Sequence, residues 1–368
     1  MESPINFFDS LPDPQVERTR LHELKDIIFI TIAAVLSGCE DWNDIELYGK
    51  AKEGWLKTFL KLPHGIPSHD TFNRVFAAID PVALEKCFVE WVQQVAEITE
   101  GQIVSIDGKR LCNSGCDGKK SIVHMVSAWS NANNMVLGQL KVEDKSNEIT
   151  AIPALLEVLD LKGCIITIDA MGCQRQIAET IINKGADYIL ALKGNQGHML
   201  DDVEEAFKET VVEDKNMDRQ QEVNHGRIEK RCCRVIADLD WVCKKEEWKN
   251  LKSIIAIESE RYHKHNGKTE QEVRYYISSL AADATKLNGA IREHWGIENK
   301  LHWSLDVVFG EDQSQKRAGN AAQNFSIITR IALNIIKNDK KTKISMKNKR
   351  HKAGWDNNYL LNLIALKI

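Results

Sequence analysis

The sequence has no CxxC pair and no set of cysteines and histidines at zinc spacing, although it holds nine cysteines, at 39, 87, 112, 116, 164, 173, 232, 233 and 243. Cys112 and Cys116 come nearest to a ligand pair, and no second pair follows them. A zinc finger or ribbon is excluded, and the scattered thiols fit a reduced, cytoplasmic setting. A membrane-length apolar run is missing too. Asp26 to Gly38 is apolar for about a dozen residues, short of the ~20 that cross a bilayer, and reads as a buried helix. Met1 to Arg20 carries acids and prolines around no apolar centre, so no export signal is expected. Nor is there an excess of positive charge: 49 Lys and Arg face 53 Asp and Glu, a net charge of −4. That excludes a uniformly basic nucleic-acid coat and leaves local patches to do any such binding. With 368 residues and 43% hydrophobic content the chain can bury a sizeable core, in two or three domains by length.

Three acids stand out, each closing an apolar element. Ile103-Val104-Ser105-Ile106-Asp107 and Cys164-Ile165-Ile166-Thr167-Ile168-Asp169 carry β-branched residues up to an aspartate, the pattern of strands buried on both faces. A carboxylate at the mouth of such a strand has to be paired, hydrogen-bonded or metal-bound, and two in one domain suggest a divalent-metal centre. The third, in Trp295-Gly296-Ile297-Glu298-Asn299, falls in a helical stretch where Ile291, Trp295, Glu298, His302 and Leu305 share one face. Magnesium takes carboxylate oxygens and keeps several waters, so three acids suffice, and two such ions clamp the attacking and leaving oxygens of a phosphoryl transfer. On this reading Asp107, at the end of a central strand, bridges both ions. Asp169 and Glu298 hold one each, with Lys109 and Arg110 near a bound phosphate. Plainer roles stay open: Asp169 as a helix cap, Asp107 in a turn with Gly108, Glu298 on a solvent-facing surface. Glu293, Asp306, Glu311 and Asp312 compete for the third position.

Residues 1–100 read as a helical domain, with helices over Val16–Gly38, Trp42–Lys50, Lys52–Leu60, Ser68–Ile79 and Pro81–Ile98. Gly65-Ile66-Pro67-Ser68 followed by His69 to Val75 resembles the turn and second helix of a helix-turn-helix reader; an ordinary capped helix packing through Phe72, Val75 and Phe76 fits equally. From 101 to 337 the pattern becomes α/β. Strands at 103–107, 121–129 and 135–142, the first two joined by a loop at Cys112–Lys120, precede helix 148–159, strand 164–169, helix 174–184 and strand 188–192. Three meandering strands followed by two βα units is the order of a ribonuclease H-like core. A β-rich insertion subdomain over about 195–280, with strands at 227–236, 252–261 and 272–280, interrupts it before helices at 283–307 and 320–337. Residues 338–368 are expected as a basic C-terminal tail: Lys337 to Lys352 holds seven lysines and Arg350 against Asp339 alone, which suits phosphate backbones or simple solvation.

Ser105-Ile106-Asp107-Gly108-Lys109, Ile168-Asp169-Ala170-Met171-Gly172-Cys173-Gln174, Leu192-Lys193-Gly194-Asn195-Gln196 and His294-Trp295-Gly296-Ile297-Glu298-Asn299, with His302-Trp303, Leu305-Asp306-Val307 and Glu311-Asp312, together resemble bacterial DDE transposases of the ISAs1 type. That group includes the H-repeat-associated proteins found near Rhs elements. Gly65 to Phe72 resembles its N-terminal associated domain, so the likeness spans almost the whole chain. It implies a ribonuclease H-like catalytic domain and a DDE triad on Asp107, Asp169 and Glu298. It also implies dependence on Mg2+, with Mn2+ able to substitute, and cleavage with strand transfer at insertion-sequence ends. The partner would be double-stranded DNA, terminal repeats and target alike, bound by a homodimer in a bacterial nucleoid. A departure concerns the Tyr, Arg, Glu, Lys signature of related transposases: Arg292 lies six positions before Glu298, and Leu305 stands where the lysine is expected, so Arg292, Lys300 and His302 inherit no role. Trp295 and Trp303 read chiefly as core packing, with stacking on a displaced base as the other role. The same acids would serve a metal-dependent nuclease without strand transfer, and a chain descended from a mobile element could bind DNA without catalysis.

Overall fold

A computed structural model of the chain describes residues 2–112, 114, 122–143, 147–224 and 227–365. Most of the expected Cys112–Lys120 loop, with Cys116, lies outside them. The chain forms a mixed α/β structure in two compact units, one of residues 1–97, 108–147 and 298–368, the other of 98–107 and 148–297.

The first unit opens with helices α1 (Leu24–Leu36), α2 (Trp42–Leu56), α3 (His69–Ala78) and α4 (Pro81–Val95). Their starts are chemically marked. Asp41, Ser68 and Asp80 accept from the backbone N–H of Asp44, Thr71 and Val82, and Pro81 takes the first turn of α4, where its missing N–H costs nothing. Two boundaries differ from expectation. The first helix begins at Leu24, not Val16, because Val16 and Leu21 lie exposed and join no apolar face. The two helices expected over 42–60 are one, ending at Leu56.

Strand β1 (Ile103–Leu111) belongs to both units, and in the first it lies beside the antiparallel pair β2 (Val123–Ser130) and β3 (Met135–Val142), in the order β3-β2-β1. The second unit continues with α5 (Glu148–Val158), β4 (Ile165–Ile168), α6 (Arg175–Asn183), β5 (Asp187–Leu192), α7 (Gly197–Glu209), β6 (Met217–Asn224), β7 (Arg227–Ile236), β8 (Ser253–His263), β9 (Thr269–Ser278) and α8 (Ala284–Gly296). Its strands run β1-β4-β5-β9-β8-β7-β6, with β1, β4 and β5 parallel and the rest antiparallel. The β-rich insertion therefore extends the sheet from β5, whose edge β9 covers by pairing Ile189 with Ser278 and Leu192 with Tyr275. Helix α8 packs on one face through Leu287 and Ile291 against Ile165, Ile189, Val235 and Ile257.

Back in the first unit, a π-helical turn (Ile297–His302) leads into α9 (Trp303–Val307), α10 (Ala321–Asn338), α11 (Met346–Trp355) and α12 (Asn357–Ile364). From Met346 to Ile364 the C-terminal segment thus forms two helices. Helix α10 is buried nearly throughout and fixes its neighbours with polar groups that would be costly to bury unpaired. Asn334 accepts from Val136 N and donates to Val136 O (2.8 and 2.9 Å), and Asn324 donates to Phe76 O and Ile79 O. Among the described residues no helix is long and apolar enough to cross a membrane, and the eight described cysteines are free thiols.

Candidate carboxylate site

Strands β1 and β4 pair in parallel with Ser105 opposite Thr167 and Ile106 opposite Ile168. Asp107 is the next residue of β1 and Asp169 the first residue past β4, so the same register continued by one step would bring the two acids level on one face. Both are half-buried. Strand β1 does not end at its aspartate, as the sequence suggests, but runs on to Leu111, which is buried with Lys109 in the first unit. Asp169 does stand just past its strand, where Oδ1 accepts from the N–H of Met171 and Gly172 (3.1 and 3.3 Å). Those bonds hold the carboxylate in place and both fall on one oxygen.

Beneath the acids the same face turns polar. Thr167 Oγ1 donates to Ser105 Oγ (3.2 Å) and lies 2.9 Å from Nδ1 of His294 on α8. Both hydroxyls are buried. This rung crosses the two acid-bearing strands two residues before each aspartate and ties them to α8. Burial pulls His294 down to about 4, against the charge of Asp169 and the contact with Thr167 that favour its protonation, so the imidazole is neutral at pH 7. The loop after Asp169 is braced from the end of β5, where Asn195 donates to Ala170 O (2.7 Å) and Gln196 to Cys173 O (2.9 Å). Neither His294, Thr167 nor Asn195 carried an expected role. The run Leu192 to Gln196 was the available signal, being a polar motif directly after a buried strand.

Glu298 belongs to the first unit and is exposed at the start of the π turn. A π turn adds a residue to the helix and rotates the next turn by about 100°. The stripe predicted through Ile291, Trp295, Glu298, His302 and Leu305 is accordingly not one face: Ile291 and Leu305 are buried, Trp295 and His302 half-buried, Glu298 exposed. Trp295 lies under the Arg274 guanidinium at 4.6 Å, whereas Trp303, expected to pack in the core, is 53% exposed. Arg292 pairs with Glu222 on β6.

Among the competing acids, Asp306 and Asp312 hold Lys109, which donates to them at 2.5 and 3.1 Å with its own side chain 8% exposed, so it is no free phosphate ligand; Arg110 is exposed. Glu311 binds the fully buried Arg330. Glu293 is exposed. The donor chemistry at Asp107 and Asp169, two neighbouring carboxylates, fits a hard divalent cation. Among the described residues no three His, Cys, Asp or Glu side chains are gathered closely enough to form a metal cluster, so these two are a partial ligand set.

Comparison with known proteins matches residues 96–335 to the family described as Transposase DDE domain and residues 5–92 to the family described as DDE_Tnp_1-associated. The chain is 45% identical to Putative transposase YncI of Escherichia coli O157:H7, over 99% of this chain and 95% of that one. It is 43% identical to the H repeat-associated putative transposase YhhI of Escherichia coli K12, over 94% and 93%. Putative protein YbfL of the same strain is 44% identical over the same shares.

Proposed function

Because the chain belongs to the DDE transposase family, we propose that it cuts DNA at the ends of an insertion sequence and joins the freed ends to target DNA, using Asp107, Asp169 and Glu298. The observation that carries this reading is the β1–β4 register, which runs to Ile106 opposite Ile168, the residues directly before Asp107 and Asp169, on two neighbouring interior strands. The strand orders β3-β2-β1 and β1-β4-β5 support a ribonuclease H-like core for residues 101–337, with residues 1–100 as its associated domain.

In the reaction, water attacks a phosphodiester at the element's end, and the 3′ hydroxyl released there attacks a phosphodiester of the target. Neither step needs a covalent bond to the protein. Magnesium, or manganese in its place, would supply positive charge for the attacking and departing oxygens, and Asp107, Asp169 and Glu298 are the residues that would hold it. The remaining work is positional. The Met171 and Gly172 amides orient Asp169, Asn195 and Gln196 fix its loop, and the Ser105, Thr167 and His294 rung sets the two strands against α8, the helix that leads into Glu298.

The test is incubation of the protein and magnesium with a labelled duplex carrying the repeats that flank its gene. Nicked and joined products are expected, and Asp107→Asn, Asp169→Asn and Glu298→Gln should each abolish both while DNA binding persists. Cleavage that never yields joined product would leave a nuclease, and binding with no cleavage a non-catalytic descendant. Retained cleavage in any of the three variants removes that acid from the site.

A further inference from the structure

Helix α11 sorts its cations by burial. Lys349 and Arg350 point inward: Lys349 Nζ donates to Ile336 O (3.2 Å), Arg350 Nε donates to Val35 O (3.1 Å), and the guanidinium sits 4.5 Å from the centre of the Phe309 ring. These two fasten the helix to α1 and α10. Lys347 and His351 point outward, and Lys340, Lys341 and Lys343 are exposed in the segment that leads in. One turn past His351, Trp355 is 80% exposed, with its ring 5.5 Å from the imidazole. At steps of four, Lys347, His351 and Trp355 form one stripe. Asp339, the acid nearest these lysines in the chain, is turned to other duties, accepting from the Tyr359 hydroxyl (2.7 Å) and pairing with Lys349 (3.7 Å).

A large ring left in water among lysines is poor for stability and good for a polyanion with flat, apolar parts. A solvated charge run needs no tryptophan, and an apolar protein partner would not be met by four lysines. We propose that Lys340, Lys341, Lys343, Lys347, His351 and Trp355 form a docking surface for the backbone of duplex DNA, the lysines neutralising phosphates and Trp355 packing on sugar. The proposal rests on the transposase reading only for the identity of the partner, and it uses none of the residues of the carboxylate site.

Binding of a labelled duplex of unrelated sequence is measured by fluorescence anisotropy over a salt series without divalent metal, so loss of cleavage and loss of docking are read separately. Replacing the four lysines with alanine should weaken binding about tenfold or more and flatten the plot of log K against log salt by roughly three to four units, near 0.9 per phosphate contact. Trp355→Ala should weaken binding several-fold with the slope unchanged, since no charge is removed. All five side chains are exposed, so both variants should melt with the wild type. Wild-type affinity and slope in the lysine variant would overturn the proposal. So would an unchanged DNA affinity in Trp355→Ala accompanied by a loss of self-association, which would give the face to a second copy of the chain.

Discussion

Replacing Glu311 with glutamine tests whether an acid that competes in sequence with Glu298 is chemical or architectural. Arg330 on α10 is fully buried and Glu311 is 8% exposed. The pair is bidentate, with Nη1 on Oε1 and Nη2 3.2 Å from Oε2, and Nη1 also donates to Ser326 O (3.3 Å). Glutamine keeps the volume and one oxygen but turns an NH2 toward the guanidinium and leaves a buried cation short of its counter-charge. Breaking such a pair from one side costs about 3–5 kcal/mol, out of roughly 5–15 for a typical protein. Glu85 softens the loss. Burial pushes it up to about 8, against the Gln139 N–H and the charge of Arg330, so it is mostly protonated at pH 7. With Glu311 gone, Arg330 would draw Glu85 toward ionisation, which places the cost at the lower end, about 3 kcal/mol. At 2–4 °C per kcal/mol the melting midpoint should fall by roughly ten degrees. Circular dichroism melts of the wild type, Glu311→Gln and the double variant Glu311→Leu with Arg330→Met make the comparison. The double variant, with no stranded charge, should recover part of the loss. A single variant within about 1 kcal/mol of the wild type would refute the buried-pair argument, as would a double variant less stable than the single one.

The same glutamate at 85 gives a pH dependence of definite sign. Its folded value of about 8 lies above the ordinary 4.5, so the native chain keeps a proton that the unfolded chain releases, and this contribution to stability is full below about 4.5 and lost as pH rises to about 8. The stability difference between wild type and Glu85→Gln, from urea midpoints, should therefore move against the wild type between pH 5 and 8; parallel curves would exclude a buried, protonated Glu85. At the carboxylate site, a Cβ on Gly172 would lie 2.3 Å from Ile168 Cγ2 and 3.1 Å from Ile152 Cδ1. Gly172→Ala should cost about 1–3 kcal/mol by overpacking and, by moving the amide that holds Asp169, reduce cleavage more than binding; wild-type cleavage would show that the loop yields freely.

The two aspartates were legible because a run of β-branched residues ending in an acid is a local pattern that demands a special environment. The structure past them was not local. Strand β1 continues to Leu111 because Lys109 finds Asp306 and Asp312, about 200 residues on, and no window around Asp107 contains that contact. Strand β6 is hidden in the sequence for a related reason: Met217 to Asn224 has almost no apolar alternation, and its ladder to β7 with the Asp218–Asn288 and Glu222–Arg292 contacts makes it a strand. In the basic C-terminal segment, charge alone cannot separate Lys349 and Arg350, used as buried anchors, from the outward Lys347.

The stretch around Glu298 departs from its periodicity in a more instructive way. Its spacing satisfies a 3.6-residue helix, so the sequence supports a single stripe through Ile291, Trp295, Glu298, His302 and Leu305. That stripe would turn an acid toward the apolar side. The three residues Glu298-Asn299-Lys300 are all polar and in a regular helix sweep about 200° of arc, a solvent face that the predicted stripe would break by turning Glu298 inward. The π turn resolves this: Ile297, Leu301 and Leu305 are fully buried at steps of four, and Glu298, Asn299 and Lys300 are all exposed. Such turns are rare, and they recur at functional sites. Here the π turn lets one chain segment bury Ile297, Leu301 and Leu305 and still leave Glu298 exposed, so the irregularity that hides the geometry from a periodicity argument is the feature that turns this acid outward.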